Sequence, residues 1–147
     1  MTIQVRNIIL ADDDEDDCLL FQDVILDLHI IANIITVQNV EKLLQILANN
    51  SNEVPEVIFL DMNMPLRDGM ECLKEIRKTP HLKNVPVIMI STSSHSQTVE
   101  EAFNEGANLF IRKPDSFKKF RSILNYIFTM EVEGLMEDQK ERFLITG

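Results

Sequence analysis

Residues 5–13 read Val5-Arg6-Asn7-Ile8-Ile9-Leu10-Ala11-Asp12-Asp13, an apolar run that ends directly in acids. A short apolar run closed by a polarity break has the length and content of a β-strand. Four more acids follow, Asp14, Glu15, Asp16 and Asp17. Behind them Leu20, Phe21, Val24, Ile25 and Leu28 recur at helical spacing, so a helix is expected over Asp16 to Leu28. Acids at its start suit the positive end of the helix dipole.

The same alternation continues along the chain. Ile34 to Val37 reads as a second strand, and Asn39 is a suitable N-cap for a helix carrying Val40, Leu43, Leu44 and Leu47 on one face. Val57-Ile58-Phe59-Leu60 is a third strand, apolar throughout and therefore expected to be buried on both faces. Asp68 is placed to cap a helix from Gly69 to Lys78, and Val87 to Ile90 follows Pro86 as a fourth strand. A polar loop, Ser91 to Ser96, leads into a helix ending near Glu105, where Gly106 suits the left-handed C-terminal position. Leu109-Phe110-Ile111 is a fifth strand, and a last helix from Asp115 or Ser116 places Phe117, Phe120, Leu124, Ile127 and Phe128 on one face. Five strands alternating with five amphipathic helices predict an α/β fold with a doubly wound parallel sheet. Such sheets carry their ligand sites at the carboxyl ends of the strands, near the switch in strand order.

The chain has 147 residues, a hydrophobic content of 45% and a formal net charge of −10. That composition is globular and argues against a nucleic-acid partner, because phosphate neutralisation needs a Lys and Arg surplus. The acid run Asp12 to Asp17 supplies −6 and residues 131–147 supply −3, so the rest of the chain is nearly neutral. No apolar run approaches the ~20 residues of a membrane span. No signal peptide precedes the acids, and a cytoplasmic location is expected. Cys18 and Cys72 stand alone, without metal-ligand spacing, as reduced thiols would. His29, His81 and His95 lie far apart and are read as surface residues.

The strand ends carry the chemistry. Strand one ends in Asp12 and Asp13, strand three in Asp61, strand four in Ser91 and Thr92, and strand five in Arg112 and Lys113 before Pro114. Three carboxylates gathered at one sheet edge repel unless a cation joins them. A hard divalent ion such as Mg2+ takes one or two carboxylates together with water and phosphate oxygens. A carboxylate is also a nucleophile toward phosphorus. Phosphoryl transfer needs little beyond positioning, a metal and an opposing cation.

In this order and at these intervals, the sequence resembles the receiver domain of bacterial two-component response regulators. The resemblance rests on Ile8-Ile9-Leu10-Ala11-Asp12-Asp13, Phe59-Leu60-Asp61-Met62-Asn63-Met64-Pro65, Asp68-Gly69, Pro86-Val87-Ile88-Met89-Ile90-Ser91 and Lys113-Pro114, and covers residues 5 to about 130. It implies a flavodoxin-like sheet of order 2-1-3-4-5 and a receiver domain over residues 1–130. It implies that Asp61 accepts a phosphoryl group from a sensor histidine kinase. Asp13, Asp61 and the Asn63 carbonyl would contact Mg2+, with Asp12 acting largely through water. Lys113 would pair with the phosphoryl group, Ser91 would swing toward it, and Phe110 would take the place of the switch aromatic. The signal would reach an unnamed downstream protein through the face of helix four, strand five and helix five. Phe110 lacks the hydroxyl of the tyrosine common there, and Ser91 lacks the methyl of the usual threonine. The register of the acid pair is open by one; Asp12 and Asp13 are preferred because they directly follow the strand.

Other readings fit less well. The spacing Asp12-x-Asp14-x-Asp16 imitates a Ca2+-binding loop, but its sixth residue is Asp17 rather than Gly and its twelfth is Asp23 rather than Glu. A phosphatase using Asp61 would want an acid two residues on, where Asn63 stands. A phosphorylation-independent interaction module on the same fold would be free to lose members of the acid, serine and lysine set. Arg112, Lys113, Lys118, Lys119 and Arg121 make a basic cluster, either a solvated face or a partner-docking patch. Residues 131–147 exceed the resemblance and hold no room for an output domain. There Val132, Leu135, Met136 and Phe143 suggest an amphipathic helical extension that packs on the domain or on a second copy, so a homodimer is expected.

Overall fold

A computed structural model describes residues 5–49, 54–64, 68–130 and 143–146. Strands β1 (Arg6–Ala11), β2 (Ala32–Val37), β3 (Val57–Asp61), β4 (Val87–Ser91) and β5 (Leu109–Arg112) alternate with helices α1 (Glu15–Asp27), α2 (Val40–Asn49), α3 (Gly69–Lys78), α4 (Ser96–Asn104) and α5 (Phe117–Thr129). A sixth strand, β6 (Leu144–Ile145), completes a sheet of order β2-β1-β3-β4-β5-β6. All pairings are parallel. The chain turns back across β1 between the two halves of the sheet, so the crevice expected of this topology opens where β1 and β3 end.

Side chains alternate across the strands and divide the core into two layers. Ile9, Ala11, Ile58, Leu60, Val87 and Met89 face α2, α3 and α4, through residues such as Leu43, Leu73, Ile76 and Ala102. Ile8, Leu10, Phe59, Ile88, Ile90 and Ile111 face α1 and α5, through Phe21, Val24, Phe120 and Leu124. Burial on both sides explains why β3 and β4 are apolar along their length.

The starts of α1, α2, α3 and α5 are capped by the short polar residues that precede them, while His95 before α4 makes no side-chain cap. Asp14 accepts from the amides of Asp16 and Asp17, Asn39 from Lys42, Asp68 from Glu71 and Ser116 from Lys119. Gly106 has φ 99°, the left-handed value that ends α4. Arg77 then ties α3 to that turn. Its guanidinium donates to the carbonyls of Gly106, Lys83 and Val85 and to the Asn108 side chain.

The sheet has six strands where five were expected, and the difference lies in the tail. Phe143 does not extend a helical stripe; it sits in a turn before β6. The other members of that stripe, Val132, Leu135 and Met136, lie outside the described residues, as does Pro65. Phe143 is 2% exposed, 5.3 Å from the Phe103 ring and 6.3 Å from the Phe110 ring. Its carbonyl accepts from the Phe110 amide at 2.9 Å. Replacing an interior Phe with Ala commonly costs about 3–5 kcal/mol. Phe143→Ala is expected to cost about 2 kcal/mol, because a terminal segment can detach without unfolding the sheet. Urea unfolding measures that loss, and faster hydrogen exchange at the Phe110 amide reports the detachment.

Candidate functional site

The ends of β1 and β3 bring Asp12 and Asp61 together, each 2% exposed. Asp12 is held in place by its own amide, which donates to the Val37 carbonyl at 2.9 Å. The two carboxylates are tethered alike. Asp12 Oδ1 accepts from the Asp14 amide at 2.9 Å, and Asp61 Oδ1 accepts from the Asn63 amide at 3.0 Å. Their other oxygens face Lys113, whose Nζ lies 3.5 Å from Asp12 Oδ2 and 3.4 Å from Asp61 Oδ2.

Asp13 is exposed at the rim, yet one oxygen from each of Asp12, Asp13 and Asp61 lies within 4.8 Å of the others. Three hard oxygen donors at that spacing, with a solvent-facing side for water, fit a Mg2+-like cation. The sequence left the acid pair open by one register; the two acids of the run whose oxygens gather with Asp61 are Asp12 and Asp13.

Lys113 and Ser91 arrive from neighbouring strand ends. The Lys113 amide donates to the Ser91 carbonyl at 2.7 Å, tying the two loops together. Ser91 is 4% exposed, and its Oγ accepts from the Ser93 amide at 3.2 Å. Phe110 points the other way, fully buried in the layer beneath α4 and against Phe143.

One member of the site was missed by sequence reasoning. Asp17 Oδ2 lies 2.7 Å from Lys113 Nζ, closer than either buried carboxylate. The acid run hid it, because Asp17 was read with its neighbours as part of a helix start. Its phase was the available signal: Asp17, Phe21 and Val24 fall on one helical stripe, and the latter two are buried.

Charge and burial set the titration of the cluster. Burial chiefly, with the charges of Asp61 and Asp17 added, pushes the Asp12 carboxyl up to about 7 despite the Asp14 amide and Lys113. Burial opposes the charge on Lys113, but the hydrogen bond to Asp17 and the charges of Asp12, Asp61 and Asp17 outweigh it and hold its pKa above the usual lysine value. A carboxyl with a raised pKa binds a proton in the folded state that the unfolded chain has already released. In chelator, stability is therefore expected to fall as pH rises from about 4 toward 7, the unfolded and folded values of Asp12. Denaturant midpoints across that window check it.

Gly69 lets α3 begin against this site. A Cβ there would lie 2.8 Å from the Asp61 carbonyl oxygen and 2.8 Å from Met62 Cα, both backbone atoms that cannot swing aside. Its amide donates to the Met62 carbonyl at 3.2 Å. Gly69→Ala is expected to cost about 2 kcal/mol, within the range for overpacking. It should also weaken divalent-cation binding by displacing Asp61; thermal melts with and without the cation separate the two effects.

Among the described residues no helix is long and apolar enough to cross a membrane. Comparison with known proteins agrees with the geometry. The family model of the response regulator receiver domain matches residues 8–125. The response regulator Rcp1 of Synechocystis is 36% identical over 64 residues, which are 44% of this chain and 44% of Rcp1. The match thus spans less than half the length of that curated relative. The phosphorylated cyanobacterial phytochrome response regulator RcpA superposes with a TM-score of 0.77 at 27% identity, covering 84% of this chain and 91% of RcpA. The Mn(2+)-bound form of Rcp1 gives a TM-score of 0.77 at 26% identity, covering 87% and 95%. With the acid cluster at the strand ends, the opposing lysine and this agreement in sequence and fold, the chain belongs to the response regulator receiver domain family.

Proposed function

We propose that this chain is a phosphoacceptor switch that takes a phosphoryl group on Asp61 from the phosphohistidine of a sensor histidine kinase and signals by protein–protein contact. One observation carries the reading: a buried Asp61 carboxylate lies 3.4 Å from the Lys113 ammonium and beside the oxygens of Asp12 and Asp13. A carboxylate oxygen of Asp61 attacks phosphorus in line. The P–N bond to the histidine breaks, and its electron pair stays on the imidazole nitrogen. Lys113 stands ready to neutralise a phosphoryl oxygen, and the Ser91 hydroxyl to donate to another. Asp13, Asp61 and the Asn63 carbonyl would hold Mg2+, with Asp12 acting through water. When bound, the ion screens the phosphoryl charge from these carboxylates. Hydrolysis reverses the state: water attacks phosphorus, the P–O bond to Asp61 breaks, and phosphate leaves.

The protein acts on no external substrate in this reading and works in the cytoplasm. The phosphoryl group would draw the Ser91 loop inward, and Phe110 would repack in response. A downstream protein would meet the surface around α4, β5 and α5. There β6 occupies the β5 edge, so such a partner would meet Leu144 and Thr146, both exposed.

Incubation with Mg2+ and acetyl phosphate, followed by intact mass, is expected to add one phosphoryl group. Peptide mapping after borohydride reduction should place it on Asp61. No gain in mass would favour a phosphorylation-independent interaction module on the same fold.

A further inference from the structure

The Lys113 ammonium is shared unequally. At 2.7 Å its contact with Asp17 is a strong charge-assisted hydrogen bond, whereas 3.4 Å to Asp61 and 3.5 Å to Asp12 are at or beyond the weak limit. On the side facing Asp17 and Asp12, Leu10, Leu20, Phe21, Ile90 and Phe120 line the same small cavity. Among the described residues, the groups within reach of the ammonium are the carboxylates of Asp17, Asp61 and Asp12. Asp17 is also fixed from behind, because its amide donates to the Asp14 cap at 3.3 Å. It is not one of the three acids whose oxygens cluster for a metal.

We propose that Asp17 is a positioning residue that parks the Lys113 ammonium beside the acceptor carboxylate, so that an incoming phosphoryl group must draw the lysine away from Asp17. The proposal rests on the phosphoacceptor reading of Asp61 and deepens it. Two consequences oppose each other. While Asp17 holds the ammonium, Asp61 and Asp12 keep oxygens available to a cation. The same grip, and the added negative charge, tax an anionic phosphodonor that needs Lys113 for itself. Asp17 therefore favours metal binding in the resting state and slows phosphoryl uptake.

The test compares the full chain with Asp17→Asn and Asp17→Glu. Mg2+ affinity is read by calorimetry, and phosphorylation by acetyl phosphate at saturating Mg2+. Asp17→Asn is expected to weaken Mg2+ binding about fivefold and to speed phosphorylation about fivefold, the upper end for a partly exposed ion pair. Asp17→Glu, which keeps the charge, should return both toward wild type. A merely structural residue would not move the two readouts in opposite directions. In metal-free wild type, a hydrogen-bond scalar coupling between Lys113 Nζ and the Asp17 carboxylate carbon is expected by NMR; its absence would overturn the proposal without any variant. Unchanged affinity and rate in Asp17→Asn, or a fall in both that Asp17→Glu does not repair, would also overturn it. A wild type that takes no phosphoryl group overturns the phosphoacceptor reading and this proposal with it. A wild type that is labelled beside an unchanged Asp17→Asn removes only the role of Asp17.

Discussion

Replacing Asp61 with asparagine is expected to abolish phosphoryl uptake while leaving the fold intact. The amide has nearly the shape of the carboxylate, and its oxygen can still accept from the Asn63 amide now 3.0 Å from Oδ1. What it lacks is the anionic oxygen that attacks phosphorus. The acid cluster also shrinks from three carboxylates to Asp12 and Asp13. A cation at free concentration c that binds only the folded state stabilises it by RT ln(1 + c/Kd), so weaker binding means less stabilisation at a given concentration. The rise in melting temperature produced by Mg2+ should therefore shrink in Asp61→Asn. Intact mass with acetyl phosphate checks the first effect, and melting curves across a Mg2+ series check the second. A variant that still gained a phosphoryl group would remove Asp61 from the role assigned to it.

Replacing Lys113 with methionine should cut the phosphorylation rate by about 10²–10³-fold, the usual cost of deleting one preorganised partner of developing charge. Methionine keeps most of the length and removes the charge. Stability should change as well, because the Asp12 and Asp61 side chains are each 3% exposed and lose the ammonium they share. Breaking a buried pair on one side typically costs about 3–5 kcal/mol. Here the loss should be smallest at low pH, where Asp12 is protonated, and grow as pH rises past about 7, where its proton leaves. Equal destabilisation at pH 5 and pH 8 in chelator would contradict that account.

The parts of this protein legible in sequence were those set by local pattern. The all-apolar runs 57–60 and 87–90 could be buried strands or short helical pieces, and their alternation with amphipathic segments decided between the two. Asp68 preceding Gly69 marked the start of α3 to the residue. The strand ends at Asp12, Asp61, Ser91 and Lys113 were legible because a doubly wound sheet directs attention to those positions. Asp17 was not, because the unbroken acid run hid the helical phase that it shares with Phe21 and Val24. Nor was β6, since its pairing with Phe110 and Ile111 joins residues more than thirty positions apart. A run as short as Phe143-Leu144-Ile145-Thr146 carries too little periodicity to announce a strand.

That last strand bears on how the molecule behaves in a crowd of its own copies. Without it, β5 would border the sheet with three of its four residues of interior character and an open row of backbone donors and acceptors. Such a border is a template for any passing extended chain, and proteins blunt it by twisting, charging, shortening or covering it. Here the cover is two residues long. It pairs with Phe110 and Ile111, after which the border offers too little extended backbone to recruit a further strand. Residues 144–145 thus act as a selvedge on the β5 border, the part of a sheet that would otherwise be open to a further strand.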